Sequence, residues 1–170
     1  MIGFHVLRRL GYIQPPANRQ TARAIHFMAF QVIVGTLVSL LTFCIHGLFT
    51  VAIVMVTRRV ARRTHDSSLM TRLFALFSFT MAVLTVAHLI EVGAWTAYYA
   101  LADIQVKDIT LFEFAFENYT ALGYGDVVAP AEWRLTGPIT SLNGLLLIGW
   151  SVAIVFEVLR MAELQFGRRN

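Results

Sequence analysis

The residues best suited to chemistry are 120–126, TALGYGD, where two glycines flank a tyrosine and an aspartate follows directly. A ring of backbone carbonyls can replace the hydration shell of a cation. Aiming successive carbonyls at one axis needs unusual backbone angles, which glycine reaches at little steric cost. We therefore expect Gly123 and Gly125 to permit that geometry, with Tyr124 pointing away from the axis.

The segment before these residues predicts a short helix that delivers them. Thr110 followed by Glu113 is a capping-box pattern that starts a helix, and LFEFAFENYTA continues it for 11 residues, too few to cross a bilayer. Gly137-Pro138 suits the first turn of the next helix. A short helix, a glycine-rich strip and a return form a re-entrant loop, which is tolerated at membrane depth only when protein or a water-filled path surrounds it.

Three apolar segments predict membrane-spanning helices on either side of this loop. Residues 24–57 contain no acidic residue, lysine or arginine, whereas 73–100 and 138–160 contain one glutamate each, Glu91 and Glu157. A span needs ~20 apolar residues. The first segment would be ~51 Å long as a helix, against a hydrocarbon core of ~30 Å, so we expect one tilted or protruding helix.

Composition supports a membrane protein. The chain of 170 residues is 57% hydrophobic and 14% charged, against ~25% charged in soluble domains. Its +4 charge comes from arginines at the ends of apolar runs, so we expect the lipid bilayer and no nucleic acid as a partner. Cys44 is the only cysteine, which excludes an internal disulfide and a thiolate metal cluster. We expect no cleavable signal peptide.

Arginines predict the topology. Residues 58–72 hold five arginines and form a cytoplasmic loop by the positive-inside rule, and the tail 161–170 is cytoplasmic as well. The pore-loop side and the N-terminus are then outside. Segment 1–23 also carries four arginines, which conflicts with this orientation unless it lies as an interfacial helix.

Residues 73–160 resemble a potassium channel pore domain: outer helix 73–100, pore helix and filter 109–126, inner helix 138–160. GYGD, Trp133-Arg134 and NGLLLIGWS (143–151) are similar to small bacterial potassium channel proteins of the two-transmembrane ion channel superfamily. The resemblance implies an all-α homotetramer in a bacterial inner membrane, with an additional N-terminal helix. It implies no enzyme activity, no catalytic residue and no organic cofactor. Potassium is the permeating ion, coordinated by the carbonyls of Ala121, Leu122, Gly123, Tyr124 and Gly125.

The filter departs from the family pattern at one position. The family has a second threonine where this chain has Ala121, so we expect a weakened innermost ion site. Thr120 is retained as filter support. By resemblance, Glu117 and Asp126 would share a proton behind the filter, although the aromatic that completes that cluster in the family aligns with Glu113 here. A solvated loop charge is the alternative for Glu117, and a helix cap is expected for Glu113.

Few residues suggest how such a pore would open. No span shows arginines at three-residue spacing, so we expect no voltage sensor. About ten residues follow the inner helix, and we expect no nucleotide- or calcium-binding regulatory domain there. Gly144 and Gly149 either hinge the inner helix or permit close packing. Glu157 either forms a ring of four carboxylates at the inner mouth, extends to the membrane interface, or pairs with Arg160.

A second constellation comprises His46 in the first span and His88 and Glu91 in the second. Counting from the cytoplasmic loop puts the histidines at similar depths, so they could meet. They could form an interhelical hydrogen-bond network, a proton sensor, or a metal site or the axial ligands of a haem. The main alternative to a channel is a non-conducting regulatory subunit, which only Ala121 favours.

Overall fold

The computed structural model describes residues 19–63, 69–123 and 127–167, and within these it is helical with no strand. The elements are α1 (Arg19–Arg63), α2 (Leu69–Leu101), α3 (Leu111–Tyr119), a short 3₁₀ helix (Ala131–Trp133) and α4 (Thr136–Gly167). The predictions for Tyr124, Gly125 and Asp126, for most of segment 1–23 and for residues 64–68 and 168–170 lie outside the described residues.

Three of these helices are long and apolar enough to cross a membrane, over Thr21–Val60, Met70–Leu101 and Ala131–Ala162. The predicted all-α class with three membrane-capable helices is therefore confirmed. Each helix extends beyond its predicted apolar core, because intrahelical hydrogen bonds do not depend on side-chain polarity and continue through flanking arginines and threonines.

The first helix is a single unbroken element of 45 residues that continues through His46-Gly47. At ~1.5 Å per residue it is ~67 Å long, more than twice the ~30 Å of a hydrocarbon core. The prediction of one over-long helix rather than two spans is therefore confirmed. One turn or more of α1 must lie beyond the apolar layer at one end or both.

α1 runs parallel to α4 and antiparallel to α2. Near its start, Gln31 donates to the Glu132 carbonyl at 2.7 Å and accepts from the Leu135 amide at 3.3 Å. Further along, Thr42 donates to Asn143 at 3.0 Å. The start of α1 thus lies at the same end of the molecule as residues 132–135.

Two buried apolar clusters hold the helices together. The larger one surrounds α3 and joins it to α2 and α4, with Val34, Val38 and Phe43 of α1 packed against it. The smaller cluster lies toward the other end of the long helices and includes Ile53, Leu76, Leu84 and Val158. Many large apolar side chains of α1 point outward, among them Ile33, Leu37, Leu48 and Val51, which suits a surface in contact with lipid.

Candidate functional site

The start of α3 is set by a complete capping box. The Thr110 hydroxyl accepts from the Glu113 amide, and the Glu113 carboxylate accepts from the Thr110 amide at 2.7 Å. The backbone hydrogen bond from Thr110, followed by the one from its hydroxyl, lowers the pKa of Glu113 below its usual range. The predicted capping role of Glu113 is thus confirmed. It satisfies amides that the first helical turn otherwise leaves unpaired.

The end of α3 is a Schellman turn, which we call the filter turn (residues 120–123). The Leu122 amide donates to the Glu117 carbonyl at 3.1 Å, and the Ala121 amide donates to the Asn118 carbonyl at 3.0 Å. Ala121 has φ 55, the left-handed conformation that this motif requires at its first residue beyond the cap and that glycine usually supplies. The backbone therefore reverses out of α3 where GYGD begins.

The filter turn is exposed in the single chain. Ala121, Leu122 and Gly123 are exposed, and Gly123 has φ 45, as expected for a glycine that redirects its carbonyl. The Thr120 hydroxyl folds back to the Phe116 carbonyl at 2.9 Å. Glu117 is half-buried, and its predicted pairing with Asp126 stays a prediction because Asp126 lies outside the described residues.

The backbone of α4 approaches the end of α3 very closely. A Cβ added at Gly144 would lie 1.9 Å from the Tyr119 carbonyl oxygen. One turn earlier, the Ser141 hydroxyl donates to the Asn118 carbonyl at 2.7 Å. At Gly149 no atom lies within 4 Å of an added Cβ. Of the two roles open for Gly144, the described packing favours close approach over a hinge.

His46, His88 and Glu91 meet between the helices, together with Tyr119 and Ser151. We call these five residues the buried polar cluster. Glu91 accepts hydrogen bonds at 2.8 Å from His46 Nδ1, at 3.0 Å from His88 Nδ1 and at 2.5 Å from the Tyr119 hydroxyl. The Ser151 hydroxyl lies 2.9 Å from His88 Nε2 and 3.4 Å from His46 Nε2. The cluster therefore links α1, α2, α3 and α4.

Sequence reasoning found three of these residues and missed two. His46, His88 and Glu91 stand out because they are polar within apolar segments. Tyr119 and Ser151 do not, since a tyrosine at a helix end and a serine in a span are common. Tyr119 directly precedes the TALGYGD segment, but this position indicates a contact with α2 only after the structure has shown that the Tyr119 side chain points toward α2.

Metal and haem are the cofactors that these residue types could hold. The ligand atoms of His46, His88 and Glu91 lie within 4.8 Å of one another, but Glu91 already contacts both Nδ1 atoms directly. Haem ligation would place the two rings on opposite sides of a flat macrocycle. Here both Nδ1 atoms face one carboxylate and both Nε2 atoms face one hydroxyl, so the arrangement does not fit a bis-histidine haem.

The remaining candidates lie apart from this cluster. The Glu157 carboxylate lies 3.9 Å from the Arg160 guanidinium, and their side chains are 48% and 72% exposed. Within one chain, Glu157 is therefore placed to pair with Arg160. Asn143 accepts from Trp95 at 2.8 Å and from Thr42, joining α1, α2 and α4. Its amide nitrogen is buried without a hydrogen-bond partner among the described residues.

A family model described as an ion channel matches residues 85–161. The matched stretch runs from the middle of α2 through α3 and the filter turn into α4, and α1 lies outside it. Searches of curated proteins and of solved structures found no match. The match supports an ion-channel function and a membrane location for the region that carries the candidate site.

Proposed function

We propose that this chain is a subunit of a potassium-selective channel that passes the ion passively down its electrochemical gradient. One observation carries the proposal: a capped short helix between two membrane-length helices ends in an exposed turn, with positive φ at Ala121 and Gly123, where GYGD begins. The carbonyls of Ala121, Leu122 and Gly123, followed by those of Tyr124 and Gly125, would take the place of the ion's water.

The proposal requires four copies around one axis, because a ring of carbonyls needs several identical strands. An uncovered apolar stripe on α4 supports such an assembly. Its members recur at helical spacing and are all more than half exposed in the single chain: Leu142, Leu145, Val152 and Phe156. We propose that this stripe and the filter turn face neighbouring subunits or the pore. Leu122, at 59% exposed, would be covered there.

In the proposed orientation the filter turn faces outside and residues 58–72 face the cytoplasm. The arginines of that segment favour this side. Because the start of α1 lies beside residues 132–135, the N-terminal end of α1 would also be outside, and the end of α4 would be cytoplasmic. Potassium itself is the only ligand that this function requires.

The test is ion flux from liposomes that contain the purified protein, first under a potassium gradient and then under a sodium gradient. We expect potassium flux without sodium flux. Gly123→Ala should abolish it, because Gly123 has φ 45 and a side chain is strained there. Gly47→Ala is the matched control, since no atom lies within 4 Å of an added Cβ. Potassium flux retained in Gly123→Ala would refute the filter assignment, and equal sodium flux would refute selectivity.

A silent regulatory subunit is the second candidate, and Ala121 is the observation that favours it. A filter without the threonine hydroxyl loses one ring of oxygen ligands. A silent subunit would assemble and remain thermally stable yet pass neither ion at any pH. Potassium flux by the wild-type protein alone would exclude this candidate.

A further inference from the structure

The contacts of the buried polar cluster show how many protons the cluster needs, because each hydrogen bond requires one proton between its two atoms. Glu91, His46, Ser151 and His88 form a closed ring of four contacts, and Tyr119 donates to Glu91 from outside the ring. The Tyr119 hydroxyl also lies 2.8 Å from His88 Nδ1, so the Nδ1–H of His88 is shared between Glu91 and the Tyr119 oxygen. Each ring contact joins two atoms that can both accept, so each needs one proton between them. The two imidazole Nδ1–H groups fill the contacts to the Glu91 carboxylate.

Two contacts remain, those between the Ser151 oxygen and the two Nε2 atoms. Serine has one hydroxyl proton and can donate to only one ring. If both histidines are neutral, the other contact sets two lone pairs against each other. A second Nε2–H supplies the missing donor, so a single additional proton satisfies all four contacts.

The same proton balances the charge. Glu91 has 0% exposed side-chain surface in the middle of a membrane-capable helix, where an unpaired carboxylate is costly. Within the described residues, the titratable groups that contact Glu91 are His46 of α1, His88 of α2 and Tyr119 of α3. From α4, the neutral side chains of Trp150 and Ser151 contact the two histidines. One proton on an imidazole makes the cluster neutral.

We propose that the buried polar cluster is a binding site for one proton per subunit, held as an imidazolium that His46 and His88 share through Ser151. The proton resides on a ring because the Glu91 carboxylate already accepts three hydrogen bonds. Transfer of the His88 Nε2 proton to the Ser151 oxygen, together with transfer of the Ser151 hydroxyl proton to His46 Nε2, exchanges the charged and neutral rings.

The proton has an entry route on the side of His88. His46 is fully buried, whereas the His88 side chain is 23% exposed. His88 and Ser151 line an open cavity of about 390 Å³ between α2 and α4, whose other walls are apolar except for Thr85. Protons therefore exchange through His88 and reach His46 by way of Ser151.

The site is connected to the filter turn through Tyr119. This residue is the last of α3; its hydroxyl donates to Glu91 and its carbonyl packs against Gly144. Loss of the proton leaves the buried polar cluster with a net negative charge and leaves one of its four ring contacts without a hydrogen-bond donor. Both changes weaken the cluster that holds Tyr119, and with it the end of the pore helix. This coupling to conduction rests on the proposed function, whereas the proton site itself does not.

The test is solid-state NMR of the full-length protein in lipid bilayers with ¹⁵N-labelled histidine. At a pH where the exposed His26 is neutral in the same spectrum, we expect imidazolium signals from the pair His46 and His88. Glu91→Gln should abolish them, because a glutamine amide donates to one ring and accepts from the other, so neutral histidines satisfy all four contacts. His26→Gln is the matched control and should leave the imidazolium signals unchanged.

Two neutral rings in the wild-type protein, or imidazolium signals that persist in Glu91→Gln, would overturn the proposal. So would Nδ1 signals that shift on adding Zn²⁺ and return with a chelator, since they would indicate a metal site. In liposomes, potassium flux should fall over the pH range in which the imidazolium signals disappear, and Glu91→Gln should lack this pH dependence. A positive NMR result without flux at any pH would retain the proton site and reject the channel.

Discussion

The filter turn and the buried polar cluster are both attached to Tyr119, but they use opposite parts of the polypeptide. In the filter turn, the proposed ligands are backbone carbonyls, and Ala121 and Gly123 hold positive φ values of 55° and 45°. In the buried polar cluster, the hydrogen-bonding groups are side chains from four helices, and Glu91 and His46 are fully buried.

This difference determines what each region tolerates. Backbone carbonyls depend on dihedral angles, so the filter turn is sensitive to any change that alters φ, even one methyl group. A buried hydrogen-bonded network depends on matched donors and acceptors, so the cluster is sensitive to changes in proton count at constant shape. Substitutions that alter only one of these properties should therefore separate the two regions.

Gly144→Ala should have the largest effect, because its new methyl group would lie 1.9 Å from the backbone of Tyr119, to which both regions are attached. Overpacking costs ~1–3 kcal/mol when side chains can adjust, and backbone adjusts less readily. We expect loss of at least ~3 kcal/mol, seen as a lower unfolding temperature of the purified protein and loss of flux. Gly149→Ala, with no atom within 4 Å, should be neutral or stabilising; equal damage from both would contradict the packing role.

Tyr119→Phe should weaken the cluster and leave the φ values of the filter turn unchanged. It removes the hydroxyl that donates to Glu91 at 2.5 Å, and hydrogen bonds to charged groups are worth ~1.5–3 kcal/mol. The unfolding temperature measures this loss. Tyr98→Phe is the matched control, since the Tyr98 hydroxyl is buried without a partner among the described residues. If Tyr98→Phe were the more harmful change, the hydrogen bond to Glu91 would not be the stabilising contact.

Changes at Ala121 should affect the filter turn alone. Ala121→Gly should stabilise by about 1 kcal/mol, because a non-glycine residue in the left-handed region costs ~1–2 kcal/mol. Ala121→Thr should destabilise the protein by a similar amount, since a β-branched residue is strained at φ 55°. Because of this strain, a threonine hydroxyl at position 121 can restore an inner ion site only if the backbone adopts a different φ. Unfolding temperatures and potassium flux of both variants check this; a threonine variant as stable as wild type would show that the turn changes conformation.

The smallest effect should come from the capping box. The pKa of Glu113 is lowered by its hydrogen bonds to Thr110, so its contribution to stability is present above the usual glutamate value of ~4.3 and is lost as pH falls through the lowered value. Amide hydrogen exchange at the start of α3 should therefore accelerate at acidic pH. Glu113→Gln keeps the capping geometry and should show no such pH dependence. An identical acid response in both proteins would rule out the carboxylate as its cause.

Much of the fold could be predicted because membrane insertion leaves few alternatives. Long apolar runs predicted the three long helices, and the Thr110–Glu113 pattern predicted the start of α3. Helix bounds were less predictable: α1 runs from Arg19 to Arg63, beyond its apolar core, since charged residues at a membrane boundary do not end a helix.

Parts of the candidate site also differ in how well the sequence predicts them. The glycine-rich segment was recognisable because its geometry is local and its residues are consecutive. The participation of Ala121 in a Schellman turn was not predicted, because its left-handed conformation depends on the preceding helix end rather than on alanine itself.

By itself, the sequence determined an apolar three-span protein with a capped short helix leading into TALGYGD, because hydrophobic length, capping and glycine conformation act over a few neighbouring residues. The tertiary structure decided that Tyr119 and Ser151 join the cluster of His46, His88 and Glu91, and that Gly144 rather than Gly149 meets the end of α3. These outcomes depend on the rotation and register of helices distant in the chain, and packing between helices sets both.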